Sequence, residues 1–122
     1  NWGEPSRGGG AVVGCQNYFP LIYSAGNLNL TSGRGQGLLI VDGSLNIRGN
    51  FTFVGLILVR DEFWGEGNMD LHGAVMSRNV SGAGTRLRGN AGLSYSACAI
   101  DKVLSAQAVP ARSKHRSWVQ LF

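Results

Sequence analysis

A chain of 122 residues that is 43% apolar and only 15% charged is long enough to close one hydrophobic core and too apolar to stay unfolded. The longest apolar run, residues 51–59, is about half of the roughly 20 residues that a membrane-spanning helix needs, so no segment can cross a bilayer as a helix. The net charge of +4 leaves acidic partners open, and nineteen glycines dispersed among Val, Ile, Leu and Phe point to many tight turns between short strands.

The chain starts at Asn1 with no methionine or signal peptide, as a processed product or excised domain would, with any export segment upstream. Residues 1–24 read as an N-terminal arm holding Trp2, the Arg7–Gly10 glycine stretch, Ala11–Val13 and the apolar Tyr18–Tyr23 segment, laid across a repeat body. The body follows over residues 25–97. A glycine followed by two alternating apolar residues recurs at Gly26, Gly43, Gly67 and Gly84, with starts 17, 24 and 17 residues apart. Recurrence at about twenty residues is the mark of a solenoid, in which each coil hides its apolar face on its neighbours. Strands are expected at Leu28–Leu30, Gly37–Val41, Leu45–Ile47, Phe51–Phe53, Leu56–Val59, Met69–Leu71, Ala74–Met76, around Leu87 and at Leu93–Tyr95. The unbroken runs Leu38–Val41 and Leu56–Val59 predict strands buried on both faces.

Residues 98–122 change period. From Ala97 to Gln107, the positions Ile100, Val103, Leu104 and Gln107 fall at i, i+3, i+4 and i+7, which predicts a short amphipathic helix stopped before Pro110 and capping the solenoid. Beyond it Trp118, Leu121 and Phe122 are costly to leave in water and are expected to dock on this chain or another, as assembly contacts. Cys15 and Cys98 flank the repeats without metal-ligand spacing. They read either as a disulfide closing the repeat region or as two small buried thiols. A disulfide would place the chain outside the cytoplasm.

The order Cys15-x2-Tyr18-Phe-Pro20, Gly35-Gln-Gly-Leu-Leu-Ile-Val-Asp-Gly43 and Gly49-Asn-Phe-Thr-Phe-Val-Gly-Leu-Ile-Leu-Val59 is similar to the C-terminal region of PilX-like, type IV pilus assembly-associated proteins of bacteria. The likeness continues through Gly73–Met76, Leu87–Asn90, Ser94–Ala99 and Arg116-Ser-Trp118. In those relatives the β-rich domain follows a pilin-like hydrophobic helix. The resemblance implies an exported, surface-associated structural role with pilus-type subunits as partners. It brings no catalytic residues, and it implies that Cys15 and Cys98 are a paired couple.

Parallel β-helices often carry glycosidic enzymes, which need two carboxyl groups set across a groove, and the acids available are Asp42, Asp61, Glu62, Glu66 and Asp70. Asp42 before Gly43 reads as a turn aspartate, and Asp61, Glu62, Glu66 and Asp70 as a solvated acidic region without calcium-loop spacing. His72 has no nucleophile motif beside it and reads as a strand-surface histidine. No metal, cofactor or enzymatic activity is expected. The turns at Arg48-Gly-Asn50 and Arg88-Gly-Asn90 are matched, and their asparagines are suited to stacking in a hydrogen-bonded ladder. Arg112, Lys114, His115 and Arg116 form a basic cluster, yet the other arginines are dispersed and no nucleic-acid-binding motif is present. That cluster reads as a solvated tail or a contact for an acidic polymer or neighbouring subunit. The sequons at Asn29, Asn50 and Asn79 are expected by chance in so asparagine-rich a chain.

The residues therefore describe one all-β domain, a short parallel β-solenoid of about four coils with an N-terminal arm and a C-terminal helix cap. A β-sandwich is the alternative fold. The expected function is that of a non-enzymatic structural or accessory subunit of an extracellular bacterial appendage, self-assembling at the cell surface. The alternative is a carbohydrate-binding or adhesive module using Trp64 with Asp61 and Glu66 as a platform for surface polysaccharide. No nucleic-acid partner and no membrane insertion by this segment are expected.

Overall fold

The computed structural model describes residues 2–3, 17–78 and 85–108. Among them the chain forms β1 (Leu21–Ser24), β2 (Leu28–Leu30), β3 (Gly33–Val41), β4 (Leu45–Arg48), β5 (Phe51–Val59), β6 (Phe63–Glu66), β7 (Met69–Ser77), β8 (Thr85–Arg88), β9 (Gly92–Tyr95) and the helix α1 (Ala97–Gln107). The odd-numbered strands make one sheet in the order β1-β3-β5-β7-β9, and the even-numbered strands a second in the order β2-β4-β6-β8. Every pairing in both sheets is parallel. The chain thus alternates between two sheets and adds one strand to each per turn, a β-solenoid of about four turns. A sandwich of antiparallel hairpins is ruled out by this connectivity.

The register corrects the repeat read from the sequence. Equivalent positions Leu28, Leu45, Phe63 and Thr85 are 17, 18 and 22 residues apart. The longer last step lies between β7 and β8. Gly43 and Gly67 are not equivalent: Gly67 stacks on Gly49 and Gly89, at a different corner of the coil. Both corners carry a turn followed by alternating apolar residues, so a 24-residue spacing jumped from one corner to the next. At the Gly49 corner the expected asparagine stacking involves Asn68, whose Nδ2 donates to Asn50 Oδ1 at 3.0 Å.

The first strand also begins earlier than expected. Leu21–Ser24, read as the end of the arm, pairs in register with Leu38–Val41 and belongs to the solenoid body. Trp2 lies beside the other half of β3: the Gln36 N–H donates to the Trp2 carbonyl at 2.7 Å.

Alternation along the strands builds the core. On β5 Phe51, Phe53, Ile57 and Val59 are buried, while Thr52, Val54, Leu56 and Leu58 between them are half-buried. Leu39, Val41, Leu45, Ile47, Phe63, Met69 and Leu71 complete the interior. Phe51 and Phe53 stack with ring centroids 6.2 Å apart. Burial on both faces holds at Leu38, 9% exposed, but not at Ile40, Leu56 or Leu58. Among the described residues one helix covers the outer face, and it is narrower than the strands are long.

The long strands β3, β5 and β7 each hold a glycine at the same register position, Gly37, Gly55 and Gly73. Their φ values, +118°, +142° and +141°, are open to glycine and strained for any other residue. A ladder of positive-φ glycines therefore crosses the sheet. Along it runs α1. Ser96 donates its N–H to the Gly73 carbonyl and accepts from the Ala99 N–H through Oγ, capping the helix. Val103, fully buried, lies against Gly55, and Gln107 Nε2 reaches the Phe19 carbonyl at 2.7 Å, just before β1. Eleven residues of helix span about 16 Å, close to the ~14 Å of three strand spacings. The helix thus runs back along the stack from its last coil to its first. Of the expected face Val103 is buried and Ile100 and Gln107 are half-buried, whereas Leu104 is 52% exposed and Ala99 is buried in its place.

The expected Cys15–Cys98 disulfide is not formed. Cys98, early in α1, carries a free and exposed thiol, because the face of the helix that meets the sheet is the one holding Ala99 and Val103. Cys15 lies outside the described residues, as do Trp118, Leu121 and Phe122. No described helix is long and apolar enough to cross a membrane.

Candidate interaction surfaces

Three surfaces present chemistry to solvent. The first is the outer face of the four-stranded sheet. Trp64 projects from β6 between buried Phe63 and Gly65 and is 39% exposed. Its Nε1 donates to Glu62 Oε2 at 3.2 Å. Glu66, two residues further on, shares that face and sits 4.0 Å from Arg48 across the β4–β6 pair. Asp61 lies at the corner before β6, where its backbone N–H bonds to the Gly43 carbonyl and its carbonyl accepts from Ser77 Oγ. The structure thus brings Trp64 and Glu66 together and puts Glu62, rather than Asp61, at the indole. Strand alternation could have found this, since residues 62, 64 and 66 fall on one face. Beside it an open groove of about 270 Å³ is lined by Asn29, Leu30, Thr31, Asn46 and Arg48.

The second surface is on the five-stranded sheet. Tyr23, Ile40, Leu58 and Met76 occupy one register position in four successive strands and form an apolar ladder that α1 does not cover. Tyr23 is 58% and Met76 61% exposed, and the groove they line has a volume of about 520 Å³. The sequence concealed this ladder because its members are 17 and 18 residues apart. At its rim Arg60 Nη1 lies 2.6 Å from Asp42 Oδ1, and Tyr23 Oη donates to Asp42 Oδ2 at 3.4 Å. The hydrogen bond and charge of Arg60 lower the Asp42 pKa from the ordinary 3.8. A lowered carboxylate pKa means that the native state holds the charged form more strongly than the unfolded chain does. The pair therefore contributes fully above the unfolded value, and that contribution is lost as pH falls through the lowered one. The difference in melting temperature between wild type and Asp42→Asn should be small at neutral pH, as for exposed pairs generally, and should vanish on acidification. A difference independent of pH would remove this role from the pair.

On the outer face of β7 His72 Nε2 lies 3.0 Å from Asp70 Oδ1. Among the described residues no group of three or more His, Cys, Asp or Glu side chains is placed to hold a metal ion.

The third surface is the last coil. Leu87 follows Ile47 and Gly65 in one inward-facing column, and Leu93 follows Phe53 and Leu71 in another. Ile47, Phe53 and Leu71 are at most 2% exposed, yet Leu87 is 43% and Leu93 49% exposed. Each occupies a core position with no following rung above it among the described residues. The outer edges of β8 and β9 are likewise without a paired strand among the described residues. The first coil is better closed: Ile22, Leu28, Leu30 and Trp2 are partly buried against the core. Gln36, 2% exposed, ties this end together through Nε2 to the Tyr18 carbonyl at 2.7 Å.

No protein-family model, curated protein or solved structure matches this chain, and nothing in those comparisons links it to the PilX-like proteins.

Proposed function

We propose that this chain is a non-enzymatic structural subunit that works by self-association, as part of an extracellular assembly on a bacterial surface. The observation that carries the reading is the last coil, where Leu87 and Leu93 stand exposed at core positions beside two strand edges. Such edges template pairing with another chain, and covering the two leucines removes apolar area from water. The resemblance of the sequence to pilus assembly-associated proteins supports the cell-surface setting and a pilus-like partner set.

A second reading is favoured by Trp64, whose exposed indole lies on a face shared with Glu62 and Glu66. Aromatic faces stack on sugar rings and carboxylates accept hydroxyl hydrogen bonds, which suits a surface-polysaccharide platform.

One set of measurements separates the two. Light scattering and electron microscopy over a wide concentration range should show mass rising with concentration and regular particles or filaments. A monomer at every concentration would overturn self-association. Glycan binding that Trp64→Ala abolishes, in such a monomer, would install the sugar platform in its place.

A further inference from the structure

We propose that the apolar ladder Tyr23, Ile40, Leu58 and Met76 is the seat of this chain's own C-terminal segment, residues 117–122, folded back alongside α1. Self-association through the last coil is a separate matter, and either holds without the other.

The sequence asks for a cover at this ladder. Unbroken apolar runs such as Leu38–Val41 and Leu56–Val59 belong to strands buried on both faces. Among the described residues α1 supplies that cover along the glycine column, where Val103 lies against Gly55, and leaves open the column three residues further along each strand. Three residues are about 10 Å, room for a second segment beside the helix. Tyr23, Ile40, Leu58 and Met76 line a groove of about 520 Å³ there, and its two ends are 58% and 61% exposed.

The C-terminal segment also starts from the right place. α1 ends with Gln107 Nε2 on the Phe19 carbonyl, and Ala108 leaves it in an extended conformation. Phe19 precedes Tyr23 by four residues, at most about 14 Å, and the ladder from Tyr23 to Met76 covers three strand spacings, about 14 Å. The ten residues from Ala108 to Trp118 reach up to about 33 Å, so Trp118 can meet any rung.

Trp118, Leu121 and Phe122 put three large apolar side chains within five residues, and residues 117–122 carry no charged side chain to be desolvated in the groove. Tyr23 offers them an aromatic face, and Met76 a polarizable thioether that adapts to rings. The N-terminal arm is the poorer occupant. Trp2 and Tyr18 are both bound to Gln36, through its N–H and its Nε2, on the opposite side of the glycine column from Ile40. The helix therefore stands between the arm's anchors and the ladder. A second copy competes at a disadvantage, because a short tether holds the segment at an effective concentration in the millimolar range.

A double-mutant cycle in the full-length chain tests the contact. Leu58→Ala and Trp118→Ala should each lower the urea midpoint, and the double variant should lower it no further than the larger single change, because both remove one contact. Strictly additive losses, or no loss from Trp118→Ala, would overturn the proposal. Coupling of Leu58→Ala to Val13→Ala in place of Trp118→Ala would overturn it in favour of the N-terminal arm. Repeated at high and low protein concentration, the cycle should give equal coupling, whereas coupling confined to the higher concentration would overturn docking within one chain in favour of exchange between copies. A readout independent of stability comes from Met76→Cys in a chain carrying Cys15→Ser and Cys98→Ser. Alkylation of that thiol should become roughly tenfold faster when Trp118→Ala, Leu121→Ala and Phe122→Ala are added together, and an unchanged rate would overturn the cover.

Discussion

Gly55→Ala should lower the stability of the solenoid by about 4 kcal/mol, the combined scale of a forbidden backbone conformation and an overpacked contact. Gly55 lies at the centre of the glycine ladder with φ +142°. A Cβ there would run into the Gly37 carbonyl oxygen of the preceding coil and come within 2.9 Å of Val103 Cγ2 on α1. One methyl group therefore strains the backbone, the sheet pairing and the helix seat together. Gly26→Ala is the matching control, since nothing lies within 4 Å of a Cβ at that position. Urea denaturation of the two variants should give a much lower midpoint for Gly55→Ala and a near-native one for Gly26→Ala. Equal midpoints would mean that the ladder does not constrain the fold.

Phe53→Ala is the second large effect, with an expected loss of about 3–5 kcal/mol for a truncated core phenylalanine. The ring is 1% exposed, stacks on Phe51 and lies in the column between Gly35 and Leu71. Gly35 above it has no side chain, so on that side the space is filled by Phe53 and Trp2. A cavity there opens next to the end of the core, where collapse of the surroundings is limited by the pairing of β3 with β5. Leu58→Ala on the same strand points outward and should cost clearly less. If Leu58→Ala proved the more damaging of the two, the inward assignment of the odd-numbered β5 residues would be wrong.

Much of the fold was legible in the residues. Alternation across Phe51–Phe53 marks which side chains enter the core, while the unbroken runs Leu38–Val41 and Leu56–Val59 hide it, and the i, i+3, i+4, i+7 spacing from Ile100 marks α1. Repetition near twenty residues marks the solenoid. Each of these signals is local, created by strand and helix geometry within a few residues. The register was less accessible. Gly43 and Gly67 carry similar phrases because both begin a strand after a turn, and local sterics treat the two corners alike. Only the pairing of Gly67 with Gly49 and Gly89 distinguishes them. Glu62 beside Trp64 was within reach of the alternation rule, while the exposure of the Cys98 thiol was not, because helix packing turns Ala99 and Val103, not Cys98, toward the sheet.

The sequence by itself determined the class of fold and the helix, because short-range sterics and the burial of apolar side chains settle those. Tertiary structure alone decided that Tyr23, Ile40, Leu58 and Met76 align as a ladder and that Leu87 and Leu93 have core positions without a covering rung among the described residues. Both depend on which coil lies beside which, and on where the stack ends. Those are sums over long-range contacts that a periodic sequence repeats almost unchanged from one coil to the next.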